Sequence, residues 1–195
     1  GMPLMVLSAT ISSSPTMIYF GQEVGERGDL DSGFGKPTRT TIFDYAGVPS
    51  HQRWMNGGRF DGGALSDSEK KLRDFYKRLL NFTLEADAMT GTFAELQSEN
   101  RKQGEQYKPG LYSFARYSAK QKLLIVTNFS WVSEADFTLE VPETLIKTWK
   151  FKDGSYPLKE KLYGNHTSTL EVKNGKGFVK LKLAPSESVI LEVQK

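Results

Sequence analysis

Apolar and polar side chains alternate along Phe178-Val179-Lys180-Leu181-Lys182-Leu183, the period-2 mark of a strand with one face buried. Short runs of similar character, separated by turn residues, fill the chain from Gly91 onward. The pattern predicts strands over Thr92 to Leu96, Leu111 to Tyr117, Lys122 to Asn128, Asp136 to Val141, Ile146 to Phe151, Leu158 to Tyr163, Thr169 to Val172, Phe178 to Leu183 and Ser188 to Val193. Lys152-Asp153-Gly154-Ser155 and Asn174-Gly175-Lys176-Gly177 supply hairpin turns. About nine strands of this length predict a mainly β protein, an antiparallel sandwich of the kind commonly wired as a Greek key.

The first part of the chain has another rhythm. The apolar run from Leu4 to Ile11 reads as the last turns of a helix, closed by Ser12 to Ser14 and Pro15. Thr16 to Phe20 is β-branched and aromatic without polar alternation, as expected of a strand covered on both faces, and Gly21 then lets the chain turn. A long Gly-, Asp- and Arg-rich segment runs from Gln22 to Gly63, interrupted by one apolar island, Thr41 to Tyr45. The strongest helix signal follows. Ser66 and Glu69 form a capping box, and Leu72, Phe75, Tyr76, Leu79 and Leu80 recur at spacings of three and four. Helix, strand, loop and helix make one and a half βα units, so the expected division is an α/β piece over 1–83 and an all-β domain over 84–195.

Composition narrows the function classes. Twenty-six Lys and Arg against 23 Asp and Glu give a net charge of +3, scattered rather than gathered in a stripe, so nucleic acid is not indicated. Without cysteine there is no disulfide framework, thiol nucleophile or cysteine-ligated zinc. Gly1 ahead of Met2 reads as a tag remnant. The Leu4 to Ile11 run lacks the basic flank of a targeting segment and the length of a membrane span, so no membrane partner is expected.

Candidate chemistry starts with Glu23 and Glu26, placed just past the carboxyl end of the expected Thr16–Phe20 strand, where α/β folds keep their sites. Glycoside hydrolysis needs two carboxyl groups about 5 to 9 Å apart, yet no base or second strand end is visible to position this pair, and a solvated role is the better reading. Gly35-Lys36 fails as a phosphate loop because Pro37 and Leu30 stand where the pattern needs Ser or Thr and the first Gly. His51, with Ser50 beside it and Asp44 near in sequence, lacks a nucleophile elbow. Asp29, Asp31 and Asp44 lack the regular spacing of a calcium loop. Trp131, Trp149, Tyr156 and Tyr163 could stack on sugar rings, although core packing competes for most of them.

Pro15-Thr16-Met17-Ile18-Tyr19-Phe20-Gly21-Gln22-Glu23 resembles the P-x-x-Y-Y-G-x-E signature at the eighth barrel strand of the alpha-amylase family of glycoside hydrolases. Phe20 replaces the second tyrosine, and one extra residue lies between Pro15 and Tyr19. Arg53-Trp54 with Asn56-Gly57 is similar to the loop before the last barrel helix of that family, and Leu72 to Asn81 to the helix itself. Leu123 to Ser130 and Leu183 to Val193 resemble strands of its C-terminal β-sandwich.

The resemblance implies that 1–83 is the last part of a (β/α)8 barrel and that the chain starts after the strands bearing the nucleophile, general acid and third carboxylate. A complete barrel takes roughly 250 residues. No catalytic residue is then expected here. Tyr19, Gln22 and Glu23 become part of an active-site rim, and the expected function is a non-catalytic portion that stabilises the barrel of an enzyme acting on α-glucans. The alternatives are a carbohydrate-binding module using surface aromatics, or hydrolysis through Glu23 and Glu26. The resemblance further implies no cofactor beyond calcium in the parent enzyme, the missing barrel as partner, self-association through uncovered barrel-facing surface, and a periplasmic or secreted bacterial parent.

Overall fold

The computed structural model describes residues 1–27 and 48–194. They divide into two compact units, one formed by Gly1–Pro15 and the chain from Leu79 on, the other by Thr16–Arg78.

The first unit is built on one antiparallel sheet of eight strands: β1 (Thr92–Glu95), β2 (Leu111–Tyr117), β3 (Lys122–Asn128), β4 (Ala135–Val141), β5 (Gly154–Glu160), β6 (Thr167–Lys173), β7 (Lys176–Leu183) and β8 (Ser188–Val193). Their spatial order is β1-β2-β3-β8-β5-β6-β7-β4. The β5-β6-β7 meander with β4 returning beside β7 is a Greek key. The sheet curls into a half-barrel, so that Leu111, Val126, Leu139, Leu158, Leu170, Val179 and Leu191 from strands far apart in its order share a single core. Alternation puts them there: β7 buries Gly177, Val179, Leu181 and Leu183 and turns Lys180 and Lys182 outward. Asn174 and Gly175, at φ of 52° and 76°, make the β6–β7 turn that their sequence predicts.

One expected strand is a helix. Residues 146–151 are expected as a strand, but α1 (Met2–Thr10), α2 (Pro49–Met55), α3 (Asp67–Glu85) and α4 (Gln97–Arg101) are followed by α5 (Glu143–Trp149). Leu145, Ile146 and Trp149 lie at helical spacing and bury one face, and Glu143 pairs with Lys147 across one turn at 2.6 Å. Gly177 permits this arrangement, since a Cβ there would meet Leu170 Cδ1 at 2.7 Å and Ile146 Cδ1 at 3.0 Å. The turn expected at 152–155 is instead the entry to β5.

Helix α4 bonds to the sheet near both of its ends. Gln97 donates its side-chain amide to the Leu111 carbonyl at 2.8 Å and accepts the Ser113 N–H at 3.2 Å, continuing the pairing of β1 after that strand has ended. One turn later, Asn100 accepts the Glu140 N–H at 2.8 Å and donates to the Glu140 carbonyl at 2.9 Å on edge strand β4. Two amides on one short helix thus satisfy backbone groups that would otherwise template aggregation.

Helix α1 packs on β3 and β8 through Met5, Val6 and Ala9. Arg116 of β2 anchors its end: the guanidinium is buried and donates to the carbonyls of Ile11, Ala88, Met89 and Gly91. Burial lowers the Arg116 pKa.

In the second unit, Val24, Val48, Leu65, Phe75 and Tyr76 are buried. The capping box at α3 forms as the sequence predicts, with Ser66 N–H on Glu69 Oε2 at 2.8 Å and Glu69 N–H on Ser66 Oγ at 3.3 Å. The strand expected over Thr16 to Phe20 does not form, and Met17 is 90% exposed. A lone strand cannot satisfy its own backbone, and no described strand pairs with this segment.

Candidate functional site

The segment that carries the rim residues is a tight turn. Gly21, at φ 82°, starts a 3-10 turn over Gln22–Val24, and a Cβ on it would sit 2.8 Å from Glu26 Cβ. Gln22 fixes the geometry: its Oε1 accepts the Tyr19 N–H at 3.1 Å and its Nε2 donates to the Tyr76 hydroxyl at 2.8 Å. Tyr19 is exposed and Glu23 half-buried. Glu26 accepts the Ser50 N–H at 2.9 Å, at the start of α2. Ser50 Oγ in turn accepts from Arg53 at 2.9 Å, and Arg53 also pairs with Glu69. The hydrogen bond from Arg53 is the main reason the Glu69 carboxyl is held down at about 2. In this arrangement Glu26 and Glu69 act as backbone and helix caps, and Ser50 is occupied by Arg53 rather than by a base.

His51 stacks between Phe20, at 4.5 Å between ring centroids, and Trp54, at 5.4 Å. Arg73 covers the Trp54 ring at 4.8 Å. The buried Nδ1 of His51 has no hydrogen-bond partner among the described residues, and the ring packs against both aromatics. Asp29, Asp31, Asp44, the Gly35-Lys36 pair and the Thr41 to Tyr45 island lie outside the described residues.

The aromatic residues read from the sequence separate into different environments. Trp131 stands 84% exposed on the β3–β4 connection, and Tyr163 is exposed on a loop held by the buried Glu160 carboxylate, which accepts the N–H groups of Leu162, Tyr163, Gly164 and Ile190. Trp149 and Tyr156 come together. A ladder of rings runs from Tyr117 to Trp149 at 6.0 Å, Trp149 to Phe151 at 5.8 Å and Phe151 to Tyr156 at 4.5 Å, the last pair stacked at 25°. It lines a groove of about 770 Å³ to which Lys122, Lys150 and Lys152 also contribute. Trp149, only 5% exposed, is as much core as lining. Sequence reading missed Tyr117, Phe151 and the three lysines. The signal available was the aromatic spacing across 149–156, obscured by taking 146–151 as a strand.

An all-β half-barrel with Greek-key wiring, carried behind helical segments, defines the class of the first unit. Residues 103–194 match the family model described as "Alpha amylase, C-terminal all-beta domain". No curated protein matches the sequence. Among solved structures, the chain is similar to an AmyP variant in complex with maltotriose, at 15% identity and a TM-score of 0.61 over 100% of this chain and 34% of that one. It is similar to the maltogenic alpha-amylase AmyB from Thermotoga neapolitana, at 14% identity and a TM-score of 0.62 over 100% of this chain and 36% of that one. The alpha-amylase from Geobacillus thermoleovorans complexed with acarbose gives 15% identity and a TM-score of 0.54 over 100% of this chain and 33% of that one. At these identities the likeness is one of fold. The chain spans about a third of the length of these structures.

Proposed function

We propose that this chain is the non-catalytic C-terminal portion of an alpha-amylase family enzyme acting on α-glucans, and that its half-barrel stabilises the catalytic barrel by covering apolar surface. The observation that carries this reading is α1. Its sequence, MPLMVLSAT, has no charged residue, one face packs on β3 and β8, and Leu4 on the other is 60% exposed. A helix apolar on every side belongs between neighbours on every side. The family match of residues 103–194 supports the C-terminal placement, and the maltotriose and acarbose named for the similar structures support the substrate class. Tyr19, Gln22 and Glu23 are in this reading a contribution to the active-site rim.

The test is reducing-sugar release from soluble starch by the purified chain. No release above buffer is expected. Release that disappears in Glu23→Gln would overturn the non-catalytic reading.

A further inference from the structure

We propose that the groove between the end of β2, the end of α5 and the start of β5 binds a small aromatic carboxylate. The rings of its wall are tilted against one another. Trp149 meets Tyr117 at 6.0 Å and 69° and Phe151 at 5.8 Å and 73°, each edge to face, and Phe151 stacks on Tyr156 at 4.5 Å and 25°. An aromatic ring carries partial negative charge on its faces and partial positive charge at its edge, so a herringbone of this kind is extended by one more flat ring. A saturated ring has no such faces and does not continue the pattern. The volume of about 770 Å³ sets the scale at one small molecule, within the roughly 300–1,000 Å³ of such sites. Part of the wall is fixed beforehand: the Tyr156 hydroxyl donates to the Lys152 carbonyl at 3.0 Å and accepts the Lys152 N–H at 3.2 Å. Such pre-organisation reduces the ordering cost of binding.

Charge selects the other half of the occupant. Lys122, Lys150 and Lys152 contribute to the groove and no acidic residue is among its described lining, in a chain whose 26 basic residues are nearly matched by 23 acidic ones. The Lys122 ammonium donates to the neutral Ala119 carbonyl at 2.7 Å. The exposed ammonium groups of Lys150 and Lys152 have no partner among the described residues. Asp87 accepts from Ser118, a lining residue, but does not itself line the groove. The indole N–H of Trp149 is a further buried donor with no acceptor among the described residues, a kind of group that native folds seldom leave unanswered. Positive charge and donors are thus in excess along a wall of aromatic rings. A neutral aromatic would leave the lysines unanswered, and a simple anion would leave the rings unused. An aromatic carboxylate answers both, with its ring in the herringbone and its oxygens toward the ammonium groups, where hydrogen bonds are charge-assisted. Neither the stabilising role nor the substrate class proposed above is needed for this binding.

Calorimetric titration of the chain with naphthoate tests the proposal. Saturable heat with a Kd on the order of 0.1 mM is expected, weakening as salt is raised. The neutral amide of the same ring system should bind about tenfold more weakly, and so should naphthoate to the double variant Lys150→Gln with Lys152→Gln. Both lysines are exposed, so this variant keeps the core intact and the outcome does not hang on whether a ring substitution folds. Tyr156→Leu, which removes the stacked ring, should weaken binding as well, whereas Trp131→Ala, outside the groove, should leave the titration unchanged. Flat heats with naphthoate would overturn the proposal, as would equal affinity for the acid and its amide, since charge would then have no part in binding. Binding kept in both groove variants would place the site elsewhere and overturn it. Displacement of naphthoate by an equal concentration of inorganic phosphate would mark a general anion site, and displacement by maltoheptaose a glucan site; either would overturn the assignment.

Discussion

Tyr107 shows how a single buried hydroxyl organises the closure of the sheet. Its hydroxyl donates to Gln97 Oε1 at 2.7 Å and lies 2.8 Å from Ser113 Oγ, so it holds in place the amide that extends the pairing of β2. Burial pushes the phenol up to about 12, whereas an unfolded tyrosine ionises near about 10. A proton retained in the folded state and lost in the unfolded state makes stability fall as pH rises. The contribution of Tyr107 is therefore complete below about pH 10 and is lost as pH climbs through about 12. Urea melts of the protein and of Tyr107→Phe between pH 8 and pH 11.5 should converge at the alkaline end. At neutral pH the variant should be less stable by about 1–2 kcal/mol for the lost hydrogen bonds. A gap that stays constant across the range would show that the phenol does not titrate with folding.

At the level of elements, α4 does more than its five residues suggest. Gln97 and Asn100 lie one turn apart and reach β2 and β4, which lie toward opposite ends of the sheet order. Asn100→Ala would leave the Glu140 N–H and carbonyl without partners, at a cost of about 2–4 kcal/mol, and would open β4 to pairing with other chains. The expected result is a lower denaturation midpoint together with thioflavin-positive aggregates on gentle heating. Lower stability without aggregation would mean that the edge stays covered by other means. The sequence discloses little of this, because an Asn in a short polar stretch carries no periodic signal of its partner forty residues away. Strands β2, β3, β7 and β8 were legible because their alternation or apolar runs are local properties of the pleat. Residues 146–151 were misread because their three apolar positions, Ile146, Trp149 and Phe151, are too few to separate helix from strand, and the arbiter, Gly177 beneath Ile146, is distant in sequence. The groove was hidden for the same reason: the end of β2, the end of α5 and the start of β5 meet only in three dimensions. The turn around Gly21 was readable because its residues are consecutive.

At the scale of the whole molecule, the covering of surfaces is uneven. The half-barrel encloses its core, and α4 satisfies Glu140 on edge strand β4 and the part of β2 beyond the end of β1. Net charge of +3 spread over both signs gives weak general repulsion. Among the apolar side chains that the described residues leave exposed is Leu4, 60% exposed on the outer face of α1, a helix without a charged residue. Soluble monomers rarely leave more than a few hundred Å² of contiguous apolar surface uncovered, and the barrel proposed to cover this face is not part of the chain. We therefore expect the isolated chain to self-associate reversibly at tens of micromolar, the order at which weak contacts form, as read by sedimentation velocity. Leu4→Glu should return it to monomer with little change in thermal midpoint, because the side chain it replaces is already in solvent. Asn100→Ala should have the opposite signature, destabilising the fold and promoting irreversible assembly. A monodisperse monomer before any substitution would mean that α1 is content with one neighbour, and would remove the main support for a barrel seated on its other face.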